Sequence, residues 1–421
     1  MKKCFRTLIF CLFILGALAG CGSDDNRGGQ ATDLVATPTA DPPSGAVLVG
    51  TGIALSSATP GAVIHYTTDG SVPTESSTIY DPNLKPQVPE EGVTIKAIAV
   101  KAGLQNSAGA TFVYEKFETG VSWEVMTSIT EGRVFHTVVA DNNGYVYVIG
   151  GASDAGGATP VSTNYRYNTA TDTWDTMEPL PVNLSQISGA YINGKIYIPG
   201  DASTGNTYVY NISANTWSTI EAGNGYTART FYQSVAVGGN LYVIGGNKNS
   251  AATNEVWILD TTAQTWSSGT PMQNPRINFA VAAVNGRIYV AGGVNFPDFT
   301  PDMTAEMFDG TNWSYIAGGV PNGGGAYTRW SYGACGQYQN YLWIAGGRRD
   351  AGWAVLNHTG YYNTATDTWA TSPDLPFLNQ ERVYTAGVVA TDGYFYVLGG
   401  RNSGGDIVYN NNERLRVGPA F

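Results

Sequence analysis

Six short aromatic-aliphatic runs between Gly150 and Gly400 stop in the same way: YVYVIGG, IYIPGD, LYVIGG, IYVAGG, LWIAGG and YVLGG. The stops fall at Gly150/Gly151, Gly200/Asp201, Gly245/Gly246, Gly292/Gly293, Gly346/Gly347 and Gly399/Gly400, in steps of 45 to 54 residues. A period of that length is the size of a four-stranded unit, which cannot bury its apolar faces alone and must stack on copies of itself. The 53 glycines and only 13% charged residues suit many short strands joined by tight turns, since glycine supplies the positive φ such turns need.

A second marker keeps the same phase. Tryptophans recur at Trp123, Trp174, Trp217, Trp266, Trp313 and Trp369, and the last five each follow a glycine stop by 17 to 24 residues. Asn/Asp-rich turns precede them: NTATDTW at 168–174 and 363–369, NISANTW at 211–217, DTTAQTW at 260–266 and the shorter DGTNW at 309–313. The last glycine pair has no tryptophan after it, and Trp123 has no glycine stop before it. The segment SWEVMTSI around Trp123 is therefore expected to supply the fourth strand of the last unit and close a ring, which removes exposed sheet edges.

These glycine stops, tyrosine-rich third strands (YRYN, YVYN) and spaced tryptophans resemble the kelch repeat. The resemblance implies an all-β chain whose residues 117–421 form a six-bladed kelch-type β-propeller. Upstream, residues 33–116 read as a small β-sandwich, with strand-length apolar runs between turns such as TPG, DGSVPT and PEEG. TPGAVIHYTTDGSVPTESSTIYDP followed by VTIKAIAVKAGLQNSAGATFVYE resembles the fibronectin-III-like domain at the C-termini of chitobiases and other hexosaminidases, carried by Tyr66-Thr67, Asp69-Gly70, Pro73-Thr74 and Lys96-Ala97. In those enzymes it is an accessory, so no catalytic residue comes with it.

The first residues are a targeting segment. Lys2, Lys3 and Arg6 precede an apolar run from Thr7 to Gly20 that is too short for a membrane span. It ends in Leu18-Ala19-Gly20-Cys21, which resembles a bacterial lipobox. That resemblance implies a signal peptide over 1–20, a lipid on Cys21 and, with Gly22 following, sorting to the outer membrane of the cell envelope. Residues 21–32 are a polar, glycine-rich tether. Removal of the signal leaves Cys21 and Cys335 of the four cysteines, so no intramolecular disulfide framework is expected. A net charge of −11 argues against nucleic acid and anionic membrane as partners, leaving the lipid as the contact with the bilayer.

Arginines recur 16 or 17 residues before the glycine pairs, at Arg133, Arg229, Arg276, Arg329 and Arg382, with Asn183 or Leu184 at that place in the second unit. Strand 1 is innermost in a propeller blade, so these side chains are expected at the channel mouth, where they would suit a carboxylate or phosphate. The alternative is pairing within the framework, with Glu131 and Glu381 near enough in sequence. Aromatics follow closely at Phe135, Phe231, Phe279, Trp330 and Tyr384. Two long loops beside that mouth carry Phe296 and Phe299, and Arg348, Arg349 and Trp353, residue types typical of recognition surfaces.

No catalytic or metal-binding constellation stands out, and no cofactor is expected. Kelch propellers include copper-radical galactose oxidases, which need two histidines; His136 and His358 here belong to blades 1 and 5. The expected role is a monomeric, non-catalytic, lipid-anchored protein that binds a glycan or protein ligand through the arginine- and aromatic-bearing face. The alternative is a sugar mutarotase resembling the six-bladed exported sialic-acid mutarotase, with arginines on the sugar carboxylate and Glu381 nearby, an analogy at the level of fold.

Overall fold

A computed structural model describes residues 34–117, 119–200, 205–223, 225–316, 330–349, 354–372 and 374–419, with Trp330 and Arg349 described in backbone only. Residues 124–126 and 137–416 build six four-stranded antiparallel sheets arranged as blades. Blade 1 runs Thr137–Ala140, Tyr145–Ile149, Asn164–Asn168 and Thr173–Thr176. Blades 2 to 5 repeat this plan in sequence order. Blade 6 joins Ala386–Val389, Tyr394–Leu398 and Asn412–Arg416 to Glu124–Met126 from far upstream, with Glu413 opposite Val125. The ring is closed by the strand that Trp123 marks, and the fold is the all-β sandwich-plus-propeller that the repeats imply.

The second strands are apolar throughout because each lies between two neighbouring blades. Tyr145–Ile149, Lys195–Pro199 and Arg287–Ala291 are each buried over their last four residues. A strand covered on both faces loses the alternation of a half-exposed one. In four blades the tryptophan indole then fastens the outer strand to the blade before. The Trp217 indole donates to the Glu178 carbonyl at 2.8 Å, Trp313 to Thr270 at 2.9 Å, and Trp123 to Thr359 Oγ1 at 3.0 Å. The turns before the tryptophans follow from side-chain chemistry. Asn168 and Asp260 accept backbone N–H groups two and three residues on, and Asp172, Asn215 and Asp367 sit at positive φ, which Asn and Asp tolerate best.

The N-terminal unit pairs Thr39–Asp41 with Ala54–Ser56, and faces this ribbon with a five-stranded sheet. Alternate residues of Val93–Val100 point inward, so Ile95, Ala97 and Ala99 meet Val35, Ile53 and Tyr114 in one core. One end of this sandwich is welded to the propeller. Leu48 packs with Trp123, Tyr338 and Tyr341, Thr51 donates to Gln339 at 3.3 Å, and the Tyr341 hydroxyl donates to the Val49 carbonyl. Those partners lie at the turn between the first two strands of blade 5, the end opposite its glycine pair. Leu34 bridges Gln105 at the sandwich's other end, and Ala110–Lys116 runs from there back to the propeller, roughly 20 Å at strand rise.

Trp123 thus holds the closing strand, a seam and the sandwich contact together. Trp123→Ala is expected to lower unfolding free energy by about 3–5 kcal/mol, measured by urea denaturation of the full chain.

Candidate functional site

The face carrying the glycine pairs is organised by four arginines that it buries. Arg133, Arg229, Arg276 and Arg382 are each 0% exposed. The Arg276 guanidinium donates to the Gly292 carbonyl at 2.9 Å, to Thr304 and to Glu306 at 2.5 Å, with Asp302 at 3.1 Å. Arg229 reaches the Gly245 carbonyl at 3.3 Å and Glu255 at 2.9 Å, and Arg382 the Gly399 carbonyl at 3.3 Å and the buried Glu413. Arg133 meets Glu131 at 3.0 Å and Thr163 at 2.7 Å.

Their backbone carbonyls bind the preceding blade in turn. Gly246 N donates to Arg276 O at 3.0 Å, Gly347 N to Arg382 O at 2.7 Å and Gly400 N to Arg133 O at 2.7 Å; in blade 2 Leu184 O serves Gly151 at 2.8 Å. Glycine is required because the approach is so close. A Cβ on Gly399 would lie 2.6 Å from Arg133 O, and φ there is +63°, a region that side chains other than glycine's disfavour.

The expectation that these four arginines line the mouth is therefore corrected: they are sealed between blades. A buried guanidinium needs partners for its terminal donors; glycine carbonyls and nearby carboxylates supply them for Arg229, Arg276 and Arg382, and Glu131 and Thr163 for Arg133. Glu131 is a partner as the sequence suggested. Glu381 is not; it accepts from Ser403 N at 3.4 Å, while Arg382 takes Glu413, 31 residues on. Arg329, Trp353 and Cys21 lie outside the described residues.

The mouth itself is built from main chain. Two residues past each described arginine, or its Leu184 counterpart, the chain turns left-handed, at Phe135, Gln186, Phe231, Asn278 and Tyr384; Tyr332 completes the set in blade 5, and φ runs from 52° to 59°. Their peptide groups bond head to tail around the axis. Gln186 N donates to Phe135 O at 2.9 Å, Phe231 to Gln186 at 2.9 Å, Asn278 to Phe231 at 3.1 Å, Tyr332 to Asn278 at 3.0 Å, Tyr384 to Tyr332 at 2.8 Å and Phe135 to Tyr384 at 3.2 Å. The six bonds make a closed collar with one residue from each blade.

Four collar side chains pack into a partition. Ring centroids lie 5.6 Å apart for Phe231–Phe135, 4.2 Å for Phe135–Tyr384 and 5.0 Å for Tyr384–Tyr332. Below them runs the channel, lined by small and hydroxyl side chains such as Ser188, Ser234, Gly336 and Gly387. Above them lies a cup of about 410 Å³. Its walls come from the loops after the glycine pairs: Gly156 in blade 1, Phe296 and Phe299 in blade 4, and Arg348 in blade 5. Phe296 and Phe299 meet edge to face at 5.1 Å. The Arg348 guanidinium lies 5.7 Å from the Tyr332 ring and 5.1 Å from Tyr384, and Arg401 lies 5.0 Å from Tyr384. Burial, then Arg401, pull the Arg348 pKa down, and burial pushes the Tyr332 hydroxyl up.

Phe296, Phe299 and Arg348 thus meet at one cup, as their loops suggested. Sequence reasoning missed Arg401, Tyr332, Gln186 and Asn278. The available signals were Gly-Gly-Arg at 346–348 and again at 399–401, and the fixed offset of about 14 residues from each collar residue to its glycine pair.

His136 follows the collar residue of blade 1 and is buried in the seam where the ring closes, against Gly399. Burial, with Arg133 nearby, pushes its imidazole down to about 3, so it stays neutral in the folded chain.

A family model described as the KLHDC2/KLHL20/DRC7 kelch-repeats domain matches residues 117–293 and 203–400, and the chitobiase/beta-hexosaminidase C-terminal domain matches 42–111. Kelch domain-containing protein 10 of Xenopus laevis is 25% identical over 319 residues, 69% of this chain and 74% of that protein. Kelch-like protein 35 of Mus musculus is 23% identical over 62% of this chain and 42% of its own length. Spermatocyte protein spe-26 of Caenorhabditis elegans is 30% identical over 36% of this chain, so the match spans 26% of that protein. The solved structure of YjhT superposes with a TM-score of 0.56 at 17% identity, covering 68% of this chain and 95% of that one, a likeness of fold.

Two outcomes follow for stability. Arg276→Met leaves Glu306 buried without its cation, and is expected to cost about 3–5 kcal/mol in urea unfolding; Arg276→Met with Glu306→Leu recovers part of that. His136 binds a proton in the unfolded chain near pH 6.5 but in the folded chain only near pH 3. Its stabilising contribution is therefore complete above about pH 6.5 and is lost as pH falls toward 3. His136→Gln is expected to flatten the stability slope between about pH 6.5 and 5, where carboxylates are ionised in both states.

Proposed function

The chain belongs to the kelch-repeat family, and on that premise we propose that it is a binding module whose propeller captures a glycan or protein segment in the cup at its mouth. One observation carries the reading: a cup floored by four aromatic rings and walled by Phe296, Phe299 and Arg348. Aromatic faces with a guanidinium at the rim supply apolar contact and charge-assisted hydrogen bonds at one spot. A volume of about 410 Å³ falls in the range of small-ligand sites.

The sandwich supports a presenting role. It stands on the end of blade 5 opposite the glycine pair, and the chain enters it at its far end, at Leu34. With Cys21 lipidated and residues 21–32 as tether, the sandwich becomes a pedestal and the cup faces away from the membrane. In this reading the protein is a monomer of the bacterial envelope, at the outer membrane, and does no chemistry.

Turnover of a sugar is the second reading, favoured by an arginine beside a sugar-sized cup. Among the described residues, no Asp or Glu lines that cup, so an acid or base would have to come from another group.

The test is a glycan array probed with the mature chain carrying Cys21→Ser, beside Arg348→Gln and Phe299→Ala. Capture is expected to fall at least about tenfold in both variants, while the thermal midpoint stays within a few degrees. A blank array turns the assignment to a protein partner. Faster anomer exchange of a free sugar, followed by NMR, would establish the mutarotase instead.

A further inference from the structure

The channel on the other side of the partition is a second cavity, of about 340 Å³. Phe135, Phe231, Tyr332 and Tyr384 line it as well as the cup, so the rings that floor the cup also roof the channel. From that roof it runs along the first strands as far as Ala140, Ala236 and Ala283, beside the turns into the second strands. That is the end at which the sandwich is fastened. With the collar closed above, it is the end by which a molecule enters.

The wall carries hydrogen-bonding groups and no charge. No Asp, Glu, Lys or Arg is among the described residues that line it, and His136 is neutral. The first strand of every blade is the inner edge of its sheet, so about half of its N–H and C=O groups face the channel without a ladder partner. Neighbouring blades satisfy some of them. Thr137 Oγ1 accepts from Gly189 N at 2.8 Å, and Ser188 Oγ from Ser234 N at 2.9 Å. The Gln233 amide is only half used: its Oε1 accepts from Ser188 Oγ at 3.3 Å, and nothing among the described residues accepts from its Nε2.

Such a wall selects against both extremes. A carboxylate, phosphate or ammonium would give up its water with no opposite charge to meet it. A wholly apolar molecule would strip water from the strand edges and from the Gln233 amide. An uncharged molecule rich in hydroxyls satisfies both conditions. The roof adds a third, a face of C–H groups to lie against aromatic rings. A neutral pyranose has hydroxyls around its rim and C–H groups on its face. Thr137, Ser188 and Gln233 stand two residues past the collar residues of blades 1, 2 and 3, about 7 Å down a strand, within reach of one sugar ring laid under the roof. The volume lies at the small end of ligand sites, suited to one ring and not to a polymer.

The geometry points to a second binding site, in the channel, for a neutral monosaccharide. It enters from the sandwich side, lays its C–H face under the partition and exchanges hydrogen bonds with Gln233 and the first-strand edges of blades 1 to 3. This site is separate from the cup and stands whether or not the cup binds a glycan.

Ligand-observed NMR titration of the mature chain (Cys21→Ser) tests it. The probes are the methyl β-glycosides of glucose, galactose and N-acetylglucosamine, with methyl β-glucuronide as the charged counterpart. At least one neutral glycoside is expected to bind at least about tenfold more tightly than the glucuronide, with an affinity unmoved between about 0.05 and 0.5 M salt. Gln233→Leu is expected to weaken that binding at least about fivefold, and Phe299→Ala, in the cup wall, to leave it unchanged. Gln233→Ala is titrated beside Gln233→Leu, and thermal midpoints are recorded, so that lost binding is read in a folded chain. Binding lost with Phe299→Ala and kept with Gln233→Leu would put the sugar in the cup, overturning the channel site and sparing the binding reading above. Equal binding of the glucuronide would overturn the selectivity assigned to the neutral wall. Silence from all three neutral glycosides would overturn the site outright, whatever the array shows for the cup.

Discussion

Six peptide groups bonded in a circle are the interaction on which the rest of this architecture depends. The collar of Phe135, Gln186, Phe231, Asn278, Tyr332 and Tyr384 takes one residue from each blade. It closes only when all six blades stand in register, and blade 6 is complete only once Glu124–Met126 has joined it. Its geometry is costly, since left-handed backbone at a side-chain-bearing residue costs about 1–2 kcal/mol. Six bonds in a closed ring offset that cost collectively, where one isolated turn would not. The glycine pairs and buried arginines hold the approach. Each described seam brings an arginine or leucine carbonyl within about 3 Å of a glycine N–H, and three of the guanidiniums lock onto glycine carbonyls of their own blades.

Much of this fold is legible in the sequence because period is a one-dimensional property. The glycine stops fix where second strands end, the Asn/Asp turns fix where fourth strands begin, and the count of tryptophans against glycine pairs points to Trp123 as the closing element. The fate of the arginines was less accessible. Their positions are periodic, but whether such a side chain points into the channel or the seam depends on partners far along the chain. Glu306 lies 30 residues from Arg276 and Glu413 lies 31 from Arg382. Sequence proximity found Glu131 for Arg133 and misdirected Arg382 to Glu381.

The collar was the least legible feature, for a physical reason. It is made of main-chain groups, so its side chains are free to differ: two phenylalanines, two tyrosines, a glutamine and an asparagine. That freedom leaves its side chains available for recognition. Position is fixed by backbone, and identity is left to the ligand. On this floor the chain places contiguous rings, and in its wall Arg348 beside Tyr384, while the sandwich is fastened at the opposite end of blade 5.

Amide hydrogen exchange across the collar tests this account most directly. Connecting segments at the mouth of a propeller would ordinarily exchange by local fluctuation, far faster than core strands. A closed collar requires that the amides of Phe135, Gln186, Phe231, Asn278, Tyr332 and Tyr384 exchange as slowly as those of Tyr145–Ile149 and Tyr394–Leu398, and that all six quicken together when Trp123 is truncated. Fast exchange at these six amides in the intact chain would contradict it, and with it the rigid floor on which the proposed site stands.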